Sequence, residues 1–202
     1  PKKLYLKSKF NVVDVGFNSL FLRALKDLVF LLEKININSV ILKKYISLNE
    51  KKLIKLFNSK KMKFKNKDLK NNTLIEMSSV TNFFMLFADI KDKIINKDLI
   101  KSLKKYYKND KYLFSSVSSN HNTFEEKRYW RGPVWINCNW IIYQGLKNKD
   151  KSFSNLIKNK TINLLNKKGF HEYYNYKNGT AMGAYNFSWS AALYLDLVLN
   201  KN

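Results

Sequence analysis

Apolar side chains return at helical intervals through most of the 202 residues, and no strand–helix–strand alternation interrupts them. That periodicity restricts the chain to packed helices. In residues 17–34, Leu20, Phe21, Leu25, Leu28, Leu31 and Leu32 share one side of a helix for which Asn18 is the expected N-cap. A second helix is expected over 39–58, with Ser47 and Asn49 as interruptions. Residues 60–77 set Met62, Phe64 and Leu69 among polar side chains around the turn-prone Lys70-Asn71-Asn72-Thr73, which predicts a small hairpin. A third helix, 79–91, carries Phe83, Phe84, Leu86 and Phe87 and is expected to be buried. A fourth, 96–107, is capped by Asn96 and turns Ile100, Leu103 and Tyr107 inward.

A Ser- and Asn-rich loop follows over 109–129, and loops of that length in compact domains are often functional. Pro133 suits the first turn of a fifth helix reaching Leu146. Residues 151–167 form a sixth, closed by Gly169. Residues 170–186 read as irregular and aromatic, and 187–199 as the last helix. The expected fold is all-α, an array of helix pairs with a small β-hairpin insertion, of a size that fits one domain or a large piece of one.

The formal net charge is +23, the mark of a polyanion binder if taken alone. Yet Arg23, Arg128 and Arg131 are the only arginines, whereas readers of phosphates and bases lean on guanidinium forks. The lysines are spread along the whole chain among Asn and Ile, so the charge reads as compositional drift on solvated faces, and neither a nucleic acid nor a membrane is expected as partner. Cys138 is the single cysteine, which rules out an intrachain disulfide and a Cys-based zinc site; with His121 and His171 the only histidines, no metal site is expected. No apolar run is long enough to span a bilayer and no stretch reads as a secretory signal, so a cytoplasmic setting is expected. Pro1 stands where an initiator Met would, which leaves room for a preceding segment.

Polar and aromatic residues concentrate in two places. In Tyr129-Trp130-Arg131-Gly132-Pro133-Val134-Trp135 and the following turns, Trp130, Trp135 and Trp140 bring three of the four tryptophans together. Broad indole faces with polar edges suit the C–H faces and hydroxyl rims of sugars. Trp140, with Ile136 and Tyr143 at helical spacing, reads as core, whereas Trp130 and Trp135 flank a loop-to-helix junction and read as a ligand surface. Arg131 beside Gly132 is placed to aim a fork at a polar substrate group.

The second segment runs Gly169-Phe170-His171-Glu172-Tyr173-Tyr174, through a turn containing Gly179, to Phe187-Ser188-Trp189-Ser190. It encloses Glu172 in His171, Tyr173 and Tyr174. Burial would raise its pKa and donors would lower it, which suits tuned proton transfer; a structural glutamate bonded to backbone donors is the competing reading. Other acids compete poorly. Asp14 lines a cavity or caps a helix, Glu125 and Glu126 pair in solvent with Lys127 and Arg128, and Glu33, Glu50, Asp92 and Asp98 lie on lysine-rich faces. Neither a Gly-x-Ser-x-Gly elbow nor a phosphate loop occurs.

The block from Tyr129 to Asn137, followed by Tyr143-Gln144-Gly145-Leu146, resembles glycoside hydrolase family 63. The block from Gly169 to Tyr174 and Phe187-Ser188-Trp189-Ser190-Ala191-Ala192-Leu193 resembles the family's downstream signature, and Val13-Asp14-Val15-Gly16-Phe17-Asn18 matches upstream. The resemblance covers most of the chain. It implies an incomplete (α/α)6 barrel, with residues 1–202 as the C-terminal portion of one catalytic domain and the N-terminal helices absent. It also implies hydrolysis of an α-glucosidic or α-mannosidic bond with inversion, Glu172 as the base that activates water, and no cofactor. Tyr129, Trp130, Arg131, Gly132, Trp135 and Trp189 would then meet a small carbohydrate. The family's acid is an Asp in an Asp-Asn-Ser-Pro-type stretch, which does not occur here. The acid and the remaining helices are expected from the missing N-terminal part of the same domain, so the piece alone is expected to be inactive and aggregation-prone. A trehalase-like or debranching enzyme on the same barrel, and a non-catalytic basic carbohydrate- or polyanion-binding fragment, are the alternative readings.

Overall fold

A computed structural model describes residues 8, 10–109 and 112–199, and it is mostly helical with few, small strands. The six α-helices among the described residues are α1 (Val15–Lys34), α2 (Val40–Ile54), α3 (Lys93–Asn109), α4 (Ile136–Leu146), α5 (Lys151–Lys168) and α6 (Ser188–Leu199). Helices α1 and α2 pack together, α4 packs on α5, and α6 lies against both α4 and α5. Strands β1 (Val12–Val13), β4 (Lys67–Asp68) and β5 (Thr73–Leu74) make an antiparallel sheet in that order. Strands β2 (Phe57–Asn58) and β3 (Lys63–Phe64) form one hairpin, and β6 (His171–Tyr174) with β7 (Ala181–Tyr185) another.

The centre is a 3₁₀-helix, Val80–Leu86, in place of the α-helix expected over 79–91. Its run of Phe83, Phe84, Met85 and Leu86 has no polar stripe to offer water, so α1, α3, α4 and β3 surround it. Seven residues is a long run for a 3₁₀-helix, and packing from four elements surrounds it here. Its Asn82 accepts the Ser79 N–H through Oδ1 at 2.7 Å, which satisfies the buried entry.

Several boundaries differ from expectation for identifiable reasons. Asp14, not Asn18, caps α1: its Oδ1 accepts the Phe17 N–H at 2.6 Å, while Asn66 donates to its Oδ2 at 2.9 Å and accepts the Val15 N–H at 2.8 Å. One side chain of β4's neighbourhood thereby stitches the helix start to the sheet. Asp92 takes the role expected of Asn96, accepting the N–H groups of Ile94 and Ile95 at 2.9 Å each. Helix α2 runs unbroken past Ser47 and Asn49 and stops at Ile54, because Phe57 and Asn58 pair with Phe64 and Lys63. Pro133 precedes α4 rather than opening it, with its carbonyl accepting the Ser116 N–H at 2.9 Å. Gly169 closes α5 as expected, at φ +77°. Residues 170–186 are an ordered hairpin, not irregular chain.

Between the sheets Lys65, 2% exposed, has its ammonium against Glu76, which also accepts from Lys61 at 2.6 Å. These two lysines pull the Glu76 carboxyl from the ordinary 4.5 to about 2. A carboxyl depressed on folding contributes stability that is complete above its unfolded pKa and drains as pH falls through the folded one. Urea midpoints of Glu76→Gln should therefore lose less than the parent's between pH 4.5 and pH 2; parallel curves would contradict this pairing.

The outer surface is unusual in another way. Phe17, Phe30 and Leu31 of α1, Ile41 and Leu48 of α2, and Leu195 and Leu199 of α6 are exposed. Contiguous apolar faces of this kind drive association. Residues 1–202 made alone should show concentration-dependent self-association in sedimentation velocity; a monodisperse monomer at high concentration would be the contrary result.

Candidate active site

The two aromatic segments, some forty positions apart, are joined by backbone. Val134 donates to the Tyr174 carbonyl at 2.7 Å and accepts the Tyr174 N–H at 2.9 Å. On its other side the same stretch bridges to Ser115, so a short three-way ladder holds residues 115, 134 and 174 together. Asn139, fully buried at the start of α4, secures the ladder's flank: its amide accepts the Phe114 N–H at 3.1 Å and donates to the Trp135 carbonyl at 2.8 Å.

Upstream of Val134, a second 3₁₀ turn, Tyr129–Arg131, presents the aromatic block. Gly132 follows it, where a Cβ would stand 2.1 Å from the Glu125 carbonyl oxygen. The Glu125 N–H donates to the Arg131 carbonyl at 2.8 Å, and the Glu125 carboxylate meets Arg131 Nη2 at 2.9 Å. Arg131 Nε also donates to the Thr123 carbonyl at 3.1 Å. The guanidinium thus holds its own loop through Nε and Nη2. Glu126, expected to pair in solvent, instead accepts from the buried Asn175 at 2.8 Å.

Trp130 and Trp135 stack at 3.9 Å with 5° between planes, and Tyr173 continues the stack on Trp135 at 5.1 Å and 28°. Trp135 is 2% exposed and Trp130 44% exposed. The expectation that both offer a ligand surface is corrected for Trp135. Its faces are covered by neighbouring rings and its indole N–H donates to the Tyr129 carbonyl at 3.1 Å, so it backs the platform that Trp130 presents. Trp140 is partly buried against the core and donates to Asp196 Oδ2 at 2.6 Å, in line with a core role.

Tyr129 stands edge-on to three of these rings: Trp135 at 4.8 Å, Tyr173 at 5.4 Å and Trp130 at 6.1 Å. Its hydroxyl donates to Glu172 Oε1 at 2.5 Å. This bond to a carboxylate is the chief reason the phenol's pKa lies above its ordinary 10.0. The other carboxylate oxygen, Oε2, accepts the Ala184 N–H at 3.2 Å. Glu172 is half-buried and is tied through Tyr129 to the Trp130–Trp135–Tyr173 stack.

Trp189, 46% exposed, sits in the first turn of α6, with its ring on Phe187. The neighbouring Ser190 donates to the His171 carbonyl at 2.6 Å, which fixes α6 one residue from Glu172. His171 packs on Tyr185 at 4.9 Å. Sequence reasoning did not single out Asn139, Asn175, Gly183 or Ala184 for this site; an isolated glycine in a strand pattern, as at Gly183, was the available sign of a bulge. Among the described residues no group of His, Cys, Asp and Glu could hold a metal, and no helix is long and apolar enough to cross a membrane. Because a side chain at position 132 collides with a carbonyl, Gly132→Ala should lower stability by about 1–3 kcal/mol in urea unfolding, and it should loosen the Tyr129 turn; an unchanged midpoint would show that the Glu125 backbone gives way freely.

Comparison with known proteins places this architecture. Residues 1–190 match the family described as mannosylglycerate hydrolase MGH1-like glycoside hydrolase domain. The mannosylglycerate hydrolase of Thermus thermophilus is 34% identical over 96% of this chain and 47% of its own length. The crystal structure of a GH63 mannosylglycerate hydrolase from Thermus thermophilus in complex with glucose superposes with a TM-score of 0.91 at 31% identity, covering 100% of this chain and 51% of that one. Neutral trehalase from Saccharomyces cerevisiae, at 14% identity and a TM-score of 0.76 over 95% of this chain and 38% of that one, shares the fold alone. The chain spans about half the length of the relatives it matches. By sequence and by fold, the chain belongs to the MGH1-like glycoside hydrolase family.

Proposed function

We propose that residues 1–202 are the C-terminal portion of an (α/α)6 barrel whose complete form hydrolyses the α-glycosidic bond of a small glycoside with inversion, Glu172 acting as general base. The observation that carries this reading is the pairing of Glu172 with the exposed Trp130 platform through Tyr129. A half-buried carboxylate with both oxygens oriented and an indole face beside it suits a water held for attack on an anomeric carbon. Trp130 and Trp189 would bear on the sugar, and Trp135, Arg131 and Gly132 would hold the loop that carries Tyr129. Relatives named mannosylglycerate hydrolase and glucosylglycerate hydrolase support a glycerate glycoside as substrate. A related structure with Tris and D-glycerate bound supports the same class.

Inversion needs an acid and a base about 6.5–9.5 Å apart with water between them. No Asp-Asn-Ser-Pro stretch lies in these 202 residues, so the acid would come from the other part of the barrel. That part would also cover the exposed faces of α1, α2 and α6.

In the complete domain, Glu172→Gln should leave substrate binding intact and lower kcat by about a thousandfold or more. Proton NMR of the first-formed product should show the β-anomer from an α-glycoside. A near-normal rate in the variant, or an α-anomer released first, would remove Glu172 from this role. Profiling mannosylglycerate, glucosylglycerate and trehalose separates the glycerate reading from a trehalase-like one.

A further inference from the structure

Glu172 is oriented by a device that the aromatic block and the hairpin build jointly. In β6 and β7, His171 pairs with Tyr185 while Tyr173 pairs with Met182, so Gly183 and Ala184 together face the single residue Glu172. This is a β-bulge, and Gly183 takes the left-handed φ of +73° that such a bulge asks of its first residue. A Cβ at Gly183 would stand 2.7 Å from Glu172 Oε2 and 2.6 Å from the Tyr173 ring. Only a bare backbone lets the carboxylate lie against the bulge and receive the Ala184 N–H.

In a regular strand consecutive side chains point to opposite faces. Here Glu172 and Tyr173 both reach Tyr129, one through its carboxylate and the other through its ring, as expected where a bulge re-aims the strand. Tyr129 in turn is fixed on three sides by rings although its side chain is 47% exposed, and its carbonyl is held by Trp135.

We propose that Tyr129 and the Gly183–Ala184 bulge are positioning groups that clamp the Glu172 carboxylate, one donor per oxygen, and leave its remaining lone pairs to orient the attacking water. A carboxylate offers about four acceptor sites, so two fixed donors still leave room for a water. This rests on the reading of Glu172 as the base.

Tyr129→Phe in the complete domain tests the clamp, because it keeps the ring packing and removes only the hydroxyl. At the optimum kcat should fall about tenfold while KM stays within about threefold, with the melting temperature essentially unchanged. Gly183→Ala, which displaces the carboxylate by sterics, should lower kcat further.

A Tyr129→Phe variant whose kcat is unchanged, or whose loss lies in KM alone, overturns the clamp and leaves Tyr129 a substrate contact. If instead Glu172→Gln itself keeps its rate, the base assignment has failed. The clamp is then read without turnover, as the alkaline titration of Tyr129 in ¹³C-tyrosine NMR. Its phenol should titrate lower in Glu172→Gln than in the parent, and equal values would refute the bond.

Discussion

Two backbone hydrogen bonds between Val134 and Tyr174 hold the molecule's chemistry in register. They join the stretch after the aromatic turn to the strand that carries Glu172. The carboxylate's bond to Tyr129 depends on that register, since a slip by one residue would turn every side chain of the strand to the other face. The surrounding contacts support the same few ångströms. Ser115 pairs with Val134 from the far side, Asn139 ties Phe114 to Trp135, and Tyr174 is buried with its hydroxyl donating to the Gly169 carbonyl at 2.6 Å.

The rest of the fold divides between a dense centre and surfaces that lack cover. The 3₁₀ helix places Phe83, Phe84, Met85 and Leu86 where four elements meet, and interiors packed to crystal-like density tolerate little change there. Against this, α6 is apolar on nearly every side yet buries only Ser190 and Leu197. Helices apolar all round are ordinarily buried. The lysines contribute little to this balance. An ion pair exposed on both sides, such as Lys43–Glu33, is worth about 1 kcal/mol at most.

What could be read from the sequence follows the range of the forces involved. Helices α1, α5 and α6 were legible because their apolar spacing is local, as was the Gly169 stop. The helix expected over 79–91 became a 3₁₀ turn because four consecutive apolar side chains carry no period that tells one kind of helix from another. Asp14 took the cap from Asn18, one of the two roles its position offered, and Asn66, 52 residues away, bonds its second oxygen. The hairpin at 170–186 was hidden behind aromatic residues and glycines that read as loop, and its bulge exists only in the pairing with β7. At the site, Glu172 stood out by its neighbours in the chain. Spacing cannot separate an exposed Trp130 from a sandwiched Trp135, since the sandwich is completed by Tyr173 from the other segment.

Cys138 lies in the first turn of α4, enclosed by the core, and burial pushes its thiol up to about 12. Thiolate, the reactive form, is therefore almost absent from the native protein near neutrality. As the chain's single sulfhydryl, it will meet an alkylating reagent only when α4 parts from its neighbours, so covalent tagging at this position counts openings of the core one molecule at a time.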